Sequence, residues 1–210
     1  MIRDQFSIVM QRTLLELHGV ACIELEHSPP TKKQIVASRS FGQRVDDVND
    51  LREAMSKYVM DAVARLRNEK LLCGCLIGFV QSNPFDTSKP FYNKSLSFAL
   101  PEPSDNLLAL SKIATTMIDE LYAKDIAFKK CGVILTCLEP KENHIYDMFT
   151  DMKQVAISDA LMVSLDEIQS RYGKSKIALG ASMMPNRTWN MSRDRLTQNY
   201  FKWDQLLSVK

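Results

Sequence analysis

Between residues 34 and 138 the hydrophobic period switches repeatedly between two and about 3.6, and few folds tolerate that pattern. Residues 34–41 alternate as a strand, with Gly42 as a stop signal. Residues 46–70 form a helical stripe of Val48, Leu51, Met55, Tyr58, Val59, Ala62, Val63 and Leu66, capped by Asp46 or Asp47. Residues 71–81 form a run apolar enough to be a strand buried on both faces. "KSLSFAL" alternates again, with Leu96, Phe98 and Leu100 inward, until "PEPSDN" breaks it. Ser104 or Asp105 caps a second helix through Leu121, and residues 128–138 close the unit as a strand. The order strand–helix–strand–strand–helix–strand predicts an α+β fold. Its four-stranded βαββαβ sheet carries two helices on one face and leaves the other face to solvent or a ligand.

The flanks read differently. Residues 3–18 predict an N-terminal helix stopped by Gly19, and Pro29 and Pro30 mark a linker. After "EPKENH" comes a small C-terminal segment. "SDALMVSLDEIQSRYG" is a capped amphipathic helix ending at Gly173, "KSKIALGAS" is extended, and residues 183–207 are irregular. That last stretch interleaves basic and aromatic residues, among them Arg187, Trp189, Arg193, Arg195, Tyr200 and Trp203.

The formal net charge of +2 leaves the whole-molecule field weak, so affinity for nucleic acid requires a local patch. No apolar run reaches the roughly 18–20 residues that cross a bilayer. The opening "MIRDQFSIVM" lacks the pattern of a signal peptide, so a cytoplasmic location and reduced thiols are expected. Cys73 and Cys75, and likewise Cys131 and Cys137, fall on common strand faces. Their spacing suits buried free thiols better than zinc.

Phosphate-loop, dinucleotide and nucleophile-elbow motifs are absent from the sequence. His18, His27 and His144 are expected to be structural or solvated. The pairs Asp119–Glu120 and Asp166–Glu167 diverge by about 100° on their helices, so they read as solvated faces rather than two-metal sites. No cofactor or metal is expected.

"KKQIVASRSFGQRV" concentrates Lys32, Lys33, Arg39 and Arg44 around Ser38 and Ser40 without an acid. If Ile35 and Ala37 face the helices, then Gln34, Val36, Ser38 and Ser40 face outward. Arg39 falls on the inward parity and must reach the rim or follow a bulge. On the next outward face Ser95 and Ser97 lie beside Lys94. Small hydroxyls between cations suit phosphates, and spacing alone equally allows a solvated polar face.

"QIVASRSFGQRV", "LREAMSKYVMDAVARLR" and "FVQSNPFDTSKPFYN" resemble the C-terminal half of the UmuC branch of Y-family translesion DNA polymerases. "LMVSLDEIQSRYG", "WNMSRDRLT" and "NYFKW" are similar to that branch's tail. The resemblance implies that residues 1–31 are the end of a thumb helix with its linker. Residues 32–139 would then be a little-finger DNA-binding domain, and residues 140–210 a tail. It implies DNA-backbone contacts at Lys33, Ser38, Arg39, Ser40 and Arg44, and the residue pattern described above adds Lys32, Lys94, Ser95 and Ser97 to the expected contacts. It also implies a clamp-motif-like peptide at Ile145, Tyr146, Asp147, Met148 and Phe149, where Ile145 replaces the family's glutamine. The competing role for that peptide is a hydrophobic plug docking the tail onto the sheet domain.

The family's palm and fingers have no counterpart in these residues, so a non-catalytic module gripping primer-template is expected in SOS damage tolerance. The alternative is a protein-interaction module for a UmuD-type subunit or the sliding clamp, with little DNA affinity of its own; a RecA filament is a further partner the resemblance implies. A single-strand RNA binder would want two or three aromatics on the outward sheet face. "QIVASRS" and "SLSFAL" supply none, because Phe98 points inward.

Overall fold

A computed structural model describes residues 5–23, 32–86, 90–173, 176, 177, 179, 180 and 189. The chain divides into two compact units, Met1–Lys32 and Lys33–Lys210.

The first unit holds helix α1, Ile8–Leu17. It starts later than the expected residue 3 because Ser7 caps it: the Met10 N–H donates to Ser7 Oγ at 3.3 Å. Gly19, at φ +81°, supplies the left-handed stop. Phe6, Val9 and Leu17 are exposed.

The second unit contains strands β1 (Ile35–Val45), β2 (Leu71–Ser82), β3 (Asn93–Ser104) and β4 (Phe128–Pro140), with helices α2 (Val48–Asn68), α3 (Leu107–Leu121) and α4 (Met152–Tyr172). The sheet is antiparallel in the order β1-β4-β2-β3. The βαββαβ order is therefore as expected.

Several boundaries differ from the sequence-based expectation, each for a local reason. Gly42 does not end β1; the strand shifts register between Ser40 and Val45 and re-pairs at Val45 with Phe128. "PEP" does not break β3, because β3 is an edge strand whose prolines need no ladder partner. The register against β2 shifts between Cys73 and Cys75 there. Asn106, rather than Ser104 or Asp105, caps α3, accepting the Ala109 N–H at 3.0 Å. Ser104 Oγ instead accepts the Asn106 N–H at 3.1 Å. Asp47 caps α2, accepting from Asn49 at 2.8 Å. Helix α4 begins before the expected Ser158 because Asp151 caps it, and it ends as expected at Gly173, φ +94°.

The core lies between the sheet and α2 with α3. Leu51, Met55, Val59, Ala62 and Leu66 of α2 meet Leu110, Ala114 and Ile118 of α3 over Leu76, Val80, Val133 and Leu135. Strand β2 is not buried on both faces: Cys75, Ile77 and Phe79 are half-buried on the helix-free side. Cys73 and Cys131 are buried free thiols as expected, whereas Cys75 is half-buried and Cys137 exposed. The Cys73–Cys75 register shift and a φ of +53° at Cys137 break the alternation that would have paired their faces.

Two links fasten C-terminal residues to the sheet domain. Arg67 of α2 donates to Asp105 and Asp166, both at 2.7 Å, while Lys141 reaches Asp105 at 3.0 Å and Asp159 at 2.7 Å. Burial alone would lower the Lys141 pKa, yet the hydrogen bonds its ammonium donates to Asp159 and Asp105 hold it above the usual lysine range. Met162 of α4 is buried beside the start of α3. The second link is Trp189, whose Nε1–H donates to the buried Glu53 carboxylate at 2.9 Å. Its indole stands edge-on to Phe41 and Tyr58, with centroids 6.4 and 6.2 Å away. The rest of the expected irregular stretch, residues 183–207, lies outside the described residues, as does the linker at Pro29 and Pro30.

Candidate nucleic-acid interface

Strand register sorts side chains between the two sheet faces, because directly opposed residues project to the same side. The helix-free face carries three rows across β1, β4, β2 and β3. They are Val36–Ile134–Ile77–Ser97, Ser38–Gly132–Phe79–Ser95 and Ser40–Lys130–Gln81–Asn93. The helix side carries Ala37–Val133–Gly78–Leu96 and Arg39–Cys131–Val80–Lys94. Gly78 confirms the assignment, since a Cβ there would meet Met117, Leu121 and Met55.

Four expected contact residues, Ser38, Ser40, Ser95 and Ser97, thus share the open face. The five expected cations lie elsewhere. Arg39 occupies the helix-side row of an edge strand yet stays exposed, with its guanidinium returned to the Ser38 carbonyl at 3.4 Å. It has reached the rim, as its parity demanded. Lys94 also takes the helix side, where its ammonium donates to the Glu120 carbonyl at 2.5 Å near the end of α3. It does not flank the serines on the open face, as its place in the sequence suggested. Arg44, in the irregular end of β1, pairs with Asp86 at 2.8 Å. Lys32 and Lys33 are exposed just before β1.

Two open-face residues were missed. Lys130 of β4 lies opposite Ser40, and its Nζ stands 5.7 Å from the Phe79 ring centroid. Phe79 of β2 crosses Gly132. Alternation from buried Cys131, Val133 and Leu135 would have placed Lys130 and Gly132 outward. Phe79 was hidden by the expectation that β2 is buried on both sides.

The acidic pairs behave as solvated helix residues, with Asp119 bridged to Arg52 and Asp166 to Arg67. Among the described residues no group of three His, Cys, Asp or Glu could hold a metal ion. No described helix is long and apolar enough to cross a membrane.

The clamp-like peptide follows β4. Ile145, Met148 and Phe149 are 89%, 87% and 86% exposed, so these three do not plug the tail onto the sheet domain. The peptide is fixed on both sides. His144 packs edge-on to Tyr146 at 4.6 Å, with Nδ1 2.6 Å from Glu139 Oε1 and Nε2 3.6 Å from Glu102 Oε1. Thr150 Oγ1 donates to Glu102 at 3.0 Å.

Comparison with known proteins agrees with this architecture. The model of the impB/mucB/samB family C-terminal domain matches residues 32–148, more than half of the chain. A second model, "Domain of unknown function (DUF4113)", matches residues 159–209. The chain belongs to the impB/mucB/samB family, and residues 32–148 correspond to that family's C-terminal domain. It is 32% identical over 210 residues to Protein UmuC of Salmonella typhimurium, covering all of this chain and 50% of that protein. To Protein MucB of Escherichia coli it is 34% identical over 200 residues, covering 95% of this chain and 47% of that one. The chain thus spans about half the length of the curated relatives it matches.

Among solved structures, a Y-family DNA polymerase chimera aligns with 66% of this chain and 38% of its own, at TM-score 0.40 and 14% identity. A complex of beta-clamp processivity factor and the little finger domain of PolIV aligns with 56% of this chain and 99% of its own, at TM-score 0.38 and 12% identity. At such scores the fold rests on the chain's own topology.

Proposed function

We propose that this chain is a non-catalytic DNA-gripping module of an error-prone translesion polymerase acting in SOS damage tolerance. One observation carries the proposal. The sheet face opposite α2 and α3 sets four serine hydroxyls and Lys130 in adjacent rows. Short hydroxyl donors beside a cation match phosphate oxygens, which need hydrogen bonds and charge but no base recognition. Arg39 and Lys33, at and before the β1 edge, extend the positive rim. Binding should be electrostatic, since each neutralised phosphate releases counterions.

The test is fluorescence anisotropy of a labelled primer-template with the chain and with Lys130→Glu and Arg39→Glu. Each charge reversal should weaken binding at least tenfold, and full affinity in both variants would refute the proposal.

A second role is favoured by the exposed Ile145, Met148 and Phe149: docking of a protein partner of the sliding-clamp kind. Three apolar side chains held out between two anchored residues suit an apolar pocket on such a partner. Replacing Met148 and Phe149 with alanine should abolish capture by the clamp without altering DNA affinity. Unchanged clamp capture would remove this role. The UmuD-type subunit and RecA filament implied by the resemblance are assigned no surface here.

A further inference from the structure

Hydroxyls and cations account for the borders of the open face but not for its centre, where an aromatic ring lies across a glycine. A Cβ at position 132 would fall 2.9 Å from Phe79 Cζ, 2.8 Å from the Ala37 carbonyl oxygen and 2.3 Å from Ser38 Cβ. Only glycine leaves the ring that space. The ring therefore has the sheet beneath it and half-exposed surface above. Ile77 and Ile134, half-buried in the next row, extend an apolar strip. Ser38 and Ser95 flank the ring within its own row, and Lys130 Nζ lies over the ring, 5.7 Å from its centroid.

A ring covering a strand glycine also stabilises the sheet by itself. Such cover needs only an apolar side chain, however. It does not need a cation over the ring or hydroxyls on both sides in one row. Those additions are the components of a nucleotide site, with an aromatic face for the base and polar groups for its backbone.

We propose that Phe79 on Gly132 is a stacking platform for one unpaired nucleobase of a DNA strand whose phosphates lie toward Ser38, Ser95 and Lys130. This rests on the DNA-gripping function proposed above and deepens it, because it adds single-stranded DNA to the ligands of the same face. Stacking on a ring already held against a sheet freezes little further motion, and every base offers a π face, so the contact is tolerant of sequence. Paired bases inside a duplex cannot reach the ring, so the platform acts on single strands alone.

The test compares a labelled thymidine oligonucleotide with a duplex of equal length, using the full chain, Phe79→Leu and Phe79→Tyr. Leucine keeps apolar cover over Gly132 and removes the ring. Phe79→Leu should lose about tenfold in single-strand affinity, keep duplex affinity within about twofold, and leave the salt slope unchanged. Phe79→Tyr should bind as the parent chain does. A Phe79→Leu protein that binds the oligonucleotide as tightly as the parent overturns the platform while leaving the gripping function standing. Binding of neither ligand by the parent chain overturns both. Ultraviolet crosslinking of the unaltered chain to the oligonucleotide avoids any folding defect in a variant. The modified peptide should contain Phe79, and crosslinks confined to other strands or helices contradict the proposal.

Discussion

Glu53 sits in α2 among apolar neighbours, and only 1% of it is exposed. A buried carboxylate requires donors, and Trp189, far along the chain, supplies one through its indole N–H. Trp189→Ala should therefore lower stability by about 3–5 kcal/mol, the range for emptying a buried aromatic site. Trp189→Phe, which keeps the ring and loses the donor, should cost about 1–3 kcal/mol. Urea denaturation midpoints distinguish the two, and equal loss in both variants would show that the hydrogen bond dominates. Cysteine chemistry gives a second residue-scale prediction. Burial, followed by the nearby Asp105 charge, pushes the Cys73 thiol up to about 12, and burial also raises Cys131. At pH 8 both remain thiols in the folded protein, so maleimide should label exposed Cys137 well before either. Simultaneous labelling of all three, read by peptide mass mapping, would contradict the burial assigned to them.

At the scale of elements, the ends of α2, β3 and β4 meet at Asp105, which accepts from both Arg67 and Lys141. Removing that carboxylate leaves two cations short of a partner in a largely dry site, so Asp105→Ala should cost about 3 kcal/mol. Gly132→Ala should disturb the β1–β4 pairing itself, because the added methyl has nowhere to go between Ser38 and Phe79. Hydrogen exchange along β1 should then accelerate, and protection equal to the parent would contradict the close approach.

What the sequence made legible at this scale follows from what periodicity can encode. The α2 stripe from Leu51 to Leu66, the strand order, and the outward parity of Ser38, Ser40, Ser95 and Ser97 all follow from periods of 3.6 and two. The Arg39 parity conflict was visible as well. Periodicity is silent on partners. It could not show that Asp86 pairs with Arg44, that Glu120 holds Lys94, or that Trp189 reaches Glu53. It misjudged β2 because a half-exposed apolar row looks the same in sequence as a buried one. It ended β1 at Gly42 because a bulge followed by renewed pairing leaves no local signal.

For the whole molecule, the two sheet faces divide the work. One packs against α2 and α3 and stabilises the fold, while the other carries hydroxyls, Lys130 and Phe79 on the side away from those two helices. With a net charge of only +2, binding should depend on where the charges sit rather than on their sum. The most direct test is methyl NMR of isotope-labelled isoleucines during titration with primer-template. Ile77 and Ile134, on the open face, should shift and broaden, while Ile118 in the core and Ile157 on α4 should stay in place. Shifts confined to Ile118, Ile145 or Ile157, with Ile77 and Ile134 unmoved, would place the DNA elsewhere and contradict the assignment of the open sheet face.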